Sequence, residues 1–192
     1  MFEIKEIVYF ENPGRENTDK TLELARKRAE ELGIKYVVVA STTGETGVKA
    51  CKMFKGFNVV VVTHCVGYSS PGISELKSEF RDEIVRLRGK IFTGTHALSA
   101  IERSVRRRLG TWLPLELMAH TLRLFGEGVK AAIEIAVMAA DAGLIPVDEE
   151  VIVIAGTGRG ADTALVVKPA HSTNFFDLEV REIICKPRVR RR

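Results

Sequence analysis

Short apolar runs of mainly β-branched residues recur along the chain and are separated by longer segments with helical spacing. Tyr36–Ala40, residues 57–63 and Val151–Ala155 contain almost no polar alternation, which is typical of strands buried on both faces of a parallel sheet. Residues 89–93 predict a further short strand, and residues 4–10 fit either a first strand or an extended lead-in. The pattern therefore predicts a sheet whose strands alternate with helices.

Capping residues and apolar spacing predict the helices between these strands. The first helix is expected to start at Asn17 or Thr18 and to end at Leu32, because Gly33 follows as a C-terminal cap. Leu22 contributes to its apolar face. The other helices are predicted for residues 48–56, 74–88 with Ser74 as the cap, 98–109, and 114–143 with a break near residues 126–128.

Two predicted strands close the chain and define the fold class. Residues 161–168 follow Val151–Ala155 through a short glycine turn, so we expect them to pair antiparallel with it at an edge of the sheet. Residues 179–186 alternate and fit a last strand. This order predicts a three-layer α/β/α sandwich with a mostly parallel sheet and an antiparallel edge strand. The 192 residues are expected to form one domain, with a basic tail over residues 186–192.

Four loops that follow strands are rich in small polar residues. They comprise residues 41–47, 64–72, 94–96 and 156–160, and all of them combine glycine with Ser, Thr or His. Ligands of parallel α/β sheets bind beyond the carboxyl ends of the strands. We therefore expect the four loops to line one pocket.

The loop of residues 41–47 carries four hydroxyls and two glycines directly before a predicted helix. Free backbone N–H groups and the helix dipole favour an anion at such a place. No Gly-Lys-Ser/Thr sequence is present, so a Walker-type nucleotide triphosphate site is not indicated. A plain capping turn is the alternative, and the number of hydroxyls favours a phosphate.

The glycine-rich loop of residues 156–160 resembles a dinucleotide fingerprint only superficially, because a strand and not a helix is predicted after it. Its glycines allow the backbone to approach a ligand closely, and Arg159 offers a planar donor for a phosphate or carbonyl. His64 and His96 both follow strands. Each is expected either to face the pocket or to be a solvated or packing histidine.

The composition indicates an ordinary soluble protein with a net charge of +4. Cys51, Cys65 and Cys185 lack metal-ligand or CxxC spacing, so reduced thiols and no metal site are expected. The N-terminus does not resemble a signal peptide and no apolar stretch is long enough for a bilayer, which favours a cytoplasmic protein without membrane contact. Abundant Glu, Lys and Arg with no Gln favour a thermophilic source.

The basic residues 103–108 and the basic tail leave a nucleic-acid-associated protein as an alternative. A solvated helix face and a free tail explain the same residues, and no aromatic platform lies beside them. Nucleic acid is therefore the less favoured partner, while assembly into a homo-oligomer stays open.

The succession of elements and loops resembles the C-terminal α/β domain of pyruvate kinase, in the form of free-standing archaeal and bacterial proteins that consist of this domain alone. The resemblance is weakest over residues 67–128. It depends on the following segments: the helix that ends at Gly33, Tyr36–Ala40, residues 41–47, residues 59–63, Val151–Ala155, residues 156–160, Asp162 and Thr163.

The resemblance implies a phosphate-bearing ligand. In pyruvate kinase this domain is regulatory, and its Ser/Thr loop holds a phosphate of an activating sugar bisphosphate. Glu45 departs from that pattern, and the catalytic residues of pyruvate kinase lie in a barrel that this chain is too short to contain. We therefore expect a protein that is not a pyruvate kinase.

The free-standing proteins also resemble binders of flavin mononucleotide (FMN), so the resemblance implies FMN as cofactor and, with it, a small oxidoreductase of unknown reaction. Arg159 or Lys168 near the flavin ring would raise its potential. A non-catalytic sensor of a sugar phosphate or nucleotide is the alternative. The predicted binding residues are Ser41, Thr42, Thr43, Gly44, Thr46, Gly47, His64, Gly67, Gly94, Thr95, His96, Gly156, Thr157, Gly158, Arg159, Gly160, Thr163 and Lys168.

Overall fold

The computed structural model describes residues 4–190. Within them, seven strands form a single sheet in the order β1-β7-β6-β5-β2-β3-β4. All of its strand pairs are parallel except β5–β6 and β6–β7. The strands are β1 (Val8–Phe10), β2 (Tyr36–Ala40), β3 (Asn58–Thr63), β4 (Lys90–Thr93), β5 (Val151–Ala155), β6 (Thr163–Lys168) and β7 (Glu179–Pro187).

Helices cover both faces of the sheet. Two short 3-10 turns, Arg15–Asn17 and Ser172–Asp177, accompany them. Within residues 4–190, no helix is both long and apolar enough to cross a membrane. The α-helices are α1 (Thr18–Leu32), α2 (Glu45–Met53), α3 (Ser78–Arg86), α4 (Ala100–Leu109), α5 (Pro114–Leu122) and α6 (Glu127–Asp141).

The apolar strands separate two cores, as expected for a sheet buried on both faces. Val37 and Val39 of β2 point toward the layer of α1, α2 and α3. Val38, between them, points toward the layer that contains α5 and α6. All three side chains are fully buried, since alternate residues of a strand face opposite sides. The predicted three-layer α/β/α sandwich with a mostly parallel sheet is thereby confirmed.

The predicted strands occur in the predicted places, with β1 limited to Val8–Phe10. The strand β6 runs antiparallel to β5, as predicted. It does not lie at the edge of the sheet, because β7 and β1 continue the sheet beyond it. The glycine turn correctly indicated the direction of β6 but carried no information about what pairs with its other side.

Three helices begin at positions that differ from the prediction. Helix α2 begins at Glu45, directly after Gly44 at a φ of +99°, so Thr46 and Gly47 are helical. Helix α3 begins at Ser78, and the Ser74 hydroxyl instead accepts a hydrogen bond from the N–H of Leu76. Helix α4 begins at Ala100, because the two residues before it donate hydrogen bonds to another helix.

The order of strands creates a crevice between β2 and β5. From β2 the chain crosses through α2 to β3 on one side, whereas from β5 it continues to β6 on the other side. The strands β2 and β5 are parallel neighbours, and the turns that leave them therefore lead away from each other, toward opposite edges of the sheet. Such a topological switch point is where open α/β sheets bind ligands.

Candidate functional site

A cleft of about 780 Å³ lies at this switch point. Its walls come from the turn between β2 and α2, the loop of residues 156–160, the beginning of α1 and the first half of α6. His64 and His96, which follow β3 and β4, complete it. Parts of all four predicted loops line the cleft, whereas the walls formed by the beginning of α1 and the first half of α6 were not predicted.

The turn between β2 and α2 presents backbone N–H groups. The Ser41 hydroxyl accepts a hydrogen bond from the N–H of Gly47 at 3.0 Å, and the Thr43 carbonyl accepts one from the N–H of Lys77 at 3.1 Å. These contacts hold the turn in place. The N–H groups of residues 43–46 have no hydrogen-bond partner within residues 4–190. Unpaired N–H groups at a helix start form an anion site.

A buried carboxylate fixes the loop of residues 156–160, a role that was not predicted for it from the sequence. Asp162 is fully buried. One of its oxygens accepts hydrogen bonds from the N–H groups of Gly14 (3.2 Å) and Thr157 (3.1 Å), and the other accepts one from the Thr163 hydroxyl (2.9 Å). Burial raises the pKa of Asp162 above its usual value. The residue before it in the chain, Ala161, is apolar and buried and gives no sign of a polar site. The role of Asp162 is therefore visible only in its three-dimensional contacts.

The same loop is packed directly against the beginning of α1. Gly160 has a φ of +75°, and a Cβ atom at this position would lie 2.5 Å from the Cα atom of Arg15. The Thr18 hydroxyl accepts a hydrogen bond from the N–H of Ala161 at 3.0 Å. A glycine is therefore required at residue 160, and this close approach brings Arg15 beside Arg159 at the mouth of the cleft.

A buried ionic cluster forms the floor of the cleft on the side of α6. Lys130 and Glu134 are each 5% exposed, and the Lys130 ammonium donates a hydrogen bond to Glu134 Oε2 at 2.5 Å. Glu134 Oε1 accepts hydrogen bonds from the N–H of Leu98 (2.9 Å) and the hydroxyl of Ser99 (3.3 Å). His96 Nδ1 lies 3.7 Å from Glu134 Oε2. A Lys and a Glu four residues apart within the otherwise uncharged residues 128–140 are the signal in the sequence that points to this cluster.

The electrostatics of this cluster follow from its burial. Burial lowers the pKa of Lys130, and the charge of Glu134 opposes that change. Burial also acts to raise the pKa of Glu134, but the charge and hydrogen bond of Lys130 outweigh it, so the pKa lies below its usual value. Burial lowers the pKa of His96 below 6.5. At neutral pH the cluster therefore holds an ion pair beside an uncharged imidazole.

Aromatic rings cover this cluster. Tyr68 is stacked on His96, with ring centroids 5.2 Å apart and planes inclined by 15°, and its centroid lies 4.0 Å from that of His64. Arg103 donates a hydrogen bond to the Tyr68 hydroxyl at 3.0 Å, and His64 Nδ1 lies 2.7 Å from Glu75 Oε2. The wall thus offers flat apolar surface next to buried polar atoms.

The cations at the mouth of the cleft differ in how they are paired. Lys49 forms an ion pair with Asp19, and Arg123 with Glu127, at 2.8 and 2.9 Å. Three arginines of the cleft have no carboxylate partner within residues 4–190, and of these Arg103 donates to the Tyr68 hydroxyl, whereas the guanidinium groups of Arg15 and Arg159 make no hydrogen bond there. These two guanidinium groups are therefore the cations most available to an anion from solution.

Ten of the predicted binding residues line the cleft: Ser41, Thr42, Thr43, Thr46, His64, His96, Gly156, Gly158, Arg159 and Gly160. Gly44 and Gly47 belong to the same turn but pack against other side chains, Gly44 near Phe80 and Gly47 near Val61. Thr157 lies on the far side of the glycine loop and lines an adjoining surface groove.

The remaining predicted residues lie away from the cleft lining. A Cβ atom on Gly94 would contact the ring of Phe92, and Gly67 and Thr95 are not among the lining residues. Thr163 is buried next to Gly128. Lys168 is at the far end of β6, where its ammonium lies 3.8 Å from Glu179. Because β6 runs antiparallel to β5, Lys168 lies at the end of the sheet opposite the cleft, and not near the predicted ligand.

The basic helix α4 is partly engaged in packing. Arg103 lines the cleft, and Arg106 pairs with the buried Glu116 at 2.6 Å and lies 4.8 Å above the ring of Trp112. Only Arg107 and Arg108 of the three consecutive arginines are exposed. Within the described part of the chain, no group of three His, Cys, Asp or Glu side chains is arranged to hold a metal ion.

Comparison with known proteins identifies the family. A family model described as "Pyruvate kinase, alpha/beta domain" matches residues 19–167. The chain belongs to the family of the pyruvate kinase alpha/beta domain. Among solved structures, it is similar to Cryptosporidium parvum pyruvate kinase in complex with ADP, at 14% sequence identity and a TM-score of 0.36. The match covers 77% of this chain and 22% of that enzyme, so the chain spans about a fifth of the enzyme's length.

The matched region contains the turn between β2 and α2, the helix α6 with its ionic cluster, and the loop of residues 156–160. The elements that build the cleft thus belong to this alpha/beta domain, apart from Arg15, Glu16 and Thr18, which lie just before the matched residues.

Proposed function

We propose that the cleft binds a small molecule that carries a phosphate, and that this phosphate lies on the turn between β2 and α2. The observation that supports it most strongly is the row of unpaired N–H groups of residues 43–46, which open on a cleft with two unpaired guanidinium groups. A phosphate would satisfy these donors and be favoured by the dipole of α2.

FMN is the ligand that the family resemblance implies, and the residues of the cleft fit its parts. Residues 43–46 would hold the phosphate, Thr42 and the backbone of residues 156–160 are available for the ribityl hydroxyls, and Tyr68 with His64 offers flat surface for the ring. The volume of about 780 Å³ is within the range of small-molecule sites. Bound FMN would supply redox chemistry to a small oxidoreductase.

The test is a fluorescence titration of the purified protein with FMN and with riboflavin, which lacks the phosphate. We expect micromolar or tighter binding of FMN and much weaker binding of riboflavin. The Thr43 side chain lines the cleft beside these N–H groups, and we propose that its hydroxyl also donates to the phosphate. The variant Thr43→Leu removes that donor and should bind FMN about ten- to a hundredfold more weakly, because losing a hydrogen bond to a charged group costs roughly 1.5–3 kcal/mol. The control is Thr173→Leu, at an exposed position outside the cleft. Equal affinity for FMN and riboflavin, or an unaffected Thr43→Leu variant, would contradict the proposed phosphate position.

A non-catalytic sensor of a sugar phosphate or another nucleotide is the second candidate. Arg15 and Arg159 favour it, since they offer a place for a second anionic group that FMN does not have. The two candidates differ in turnover: an oxidoreductase would oxidise NADH or NADPH through its bound flavin, whereas a sensor would bind its ligand unchanged. Stopped-flow absorbance of the FMN-loaded protein mixed with NADH or NADPH separates them.

A further inference from the structure

Burying the ionic cluster of Lys130, Glu134 and His96 costs free energy of folding, because charged groups lose their contact with water. Three ionisable side chains meet at a place where Lys130 and Glu134 are each 5% exposed, although the neighbouring positions of α6 are apolar. Apolar residues of similar volume often replace a buried ion pair without loss of stability. Packing alone therefore does not require these residues, and their location in the wall of the cleft suggests a role toward a ligand.

One atom of the cluster lacks a partner. His96 Nε2 is buried and makes no hydrogen bond within residues 4–190, while Nδ1 of the same ring faces Glu134 at 3.7 Å. A buried polar atom without a partner costs about 1–3 kcal/mol. The imidazole lines the cleft, so a small shift of the surrounding side chains would bring this atom within reach of a bound ligand.

The surroundings of His96 determine what kind of partner it needs. It faces Glu134 and Lys130 from α6, His64 and Tyr68 from the loop after β3, and Arg103 from α4. Burial lowers the pKa of His96, and the positive neighbours add to the effect against the opposing charge of Glu134. A neutral imidazole with its proton on Nδ1, toward the carboxylate, leaves Nε2 as a hydrogen-bond acceptor.

We propose that His96, held by Glu134 and Lys130, forms a polar subsite that accepts a hydrogen bond from a hydroxyl or imide N–H of the ligand. The subsite rests on the proposed binding of a phosphate-bearing molecule, and it narrows that ligand to a phosphate ester with a donor on its non-phosphate part. A simple anion would not use it. FMN belongs to the class, because it carries ribityl hydroxyls and a ring imide.

The test compares FMN with inorganic phosphate in three variants. His96→Phe removes the acceptor, His96→Gln keeps an acceptor at a similar distance from the backbone, and His171→Phe is the control near Asp141, at the end of α6 away from the cleft. FMN affinity is measured by fluorescence titration, and phosphate affinity by its competition with FMN. We expect His96→Phe to weaken FMN about tenfold or more with phosphate unchanged, His96→Gln to recover most of the loss, and His171→Phe to bind as the parent protein does.

The pH dependence supplies a second readout. Protonation of His96 converts the Nε2 acceptor into a donor, so FMN affinity should fall as the pH is lowered from neutral through the pKa of His96, which burial places below its usual value. The FMN phosphate titrates in the same range, and the difference between the parent protein and His96→Gln isolates the histidine. FMN affinity that His96→Phe leaves unchanged, or a loss that phosphate shares equally, would overturn the subsite and leave the phosphate position intact. Failure of the parent protein to bind FMN would overturn both.

Discussion

Single residues determine the shape of the cleft through buried hydrogen bonds. Asp162 joins the turn after β1 to the glycine loop after β5 by accepting from the N–H groups of Gly14 and Thr157. Ser41 has the same function in the turn after β2, where it accepts from Gly47. The oxygens of these side chains already accept hydrogen bonds from the protein's own backbone. Their contribution to ligand binding is therefore to hold the neighbouring backbone in position.

Replacing Asp162 tests this role. Asp162→Ala should lower the free energy of unfolding by about 2 kcal/mol or more, because several buried donors lose their acceptor, and it should weaken FMN binding by loosening residues 156–160. Asp162→Asn keeps one acceptor oxygen and should be milder. Since burial raises the pKa of Asp162, the stability of the parent protein relative to Asp162→Asn should be greatest below pH 4 and decline as the pH rises through the folded-state pKa. Urea unfolding at several pH values measures both; an Asp162→Ala protein as stable as the parent would contradict the role.

The residues of the site were only partly predictable from the sequence. Ser41, Thr43, His64 and His96 could be found because they follow strands, and strand ends converge by topology. Lys130, Glu134 and Asp162 could not, because their importance depends on burial by segments distant in the chain.

At the scale of elements, close contact between helices and the sheet positions the cleft. Gly47 in α2 and Gly128 in α6 each lie where a side chain would strike the sheet: a Cβ atom would be 2.7 Å from Val61 Cγ1 at the first position and 2.1 Å from Thr163 Oγ1 at the second. The beginnings of both helices therefore lie close to the sheet, next to the cleft. The sequence predicts Gly47 as a ligand contact, because sequence alone does not distinguish a glycine that allows a ligand to approach from one that allows a strand to approach.

Gly47→Ala separates these explanations. Alanine favours a helix over glycine by about 1 kcal/mol, whereas overpacking costs about 1–3 kcal/mol, so we expect net destabilisation in urea unfolding. The exposed position Lys52 of the same helix is the control, where alanine should change stability by about 0.5 kcal/mol or less. A Gly47→Ala protein more stable than the parent would show that α2 is free to move away from the sheet.

At the scale of the whole molecule, topology brings the candidate site together. The chain leaves β2 and β5 in opposite directions, and this divergence opens the cleft between residues 43–46 and 156–160. The fold class and the converging loops were predictable because runs of buried β-branched residues alternate with helical segments. The place of β6 inside the sheet was not, because it depends on β7 and β1 pairing from opposite ends of the chain.

The central claim is that the backbone N–H groups of residues 43–46 hold a phosphate, and amide ¹⁵N–¹H chemical shifts measure it most directly. The labelled protein is titrated with FMN and, separately, with inorganic phosphate. We expect the amide signals of Thr43, Gly44, Glu45 and Thr46 to shift in both titrations. With FMN, the shifts should give the same Kd as the fluorescence titration. FMN binding that leaves these four signals in place, while others move, would contradict the claim.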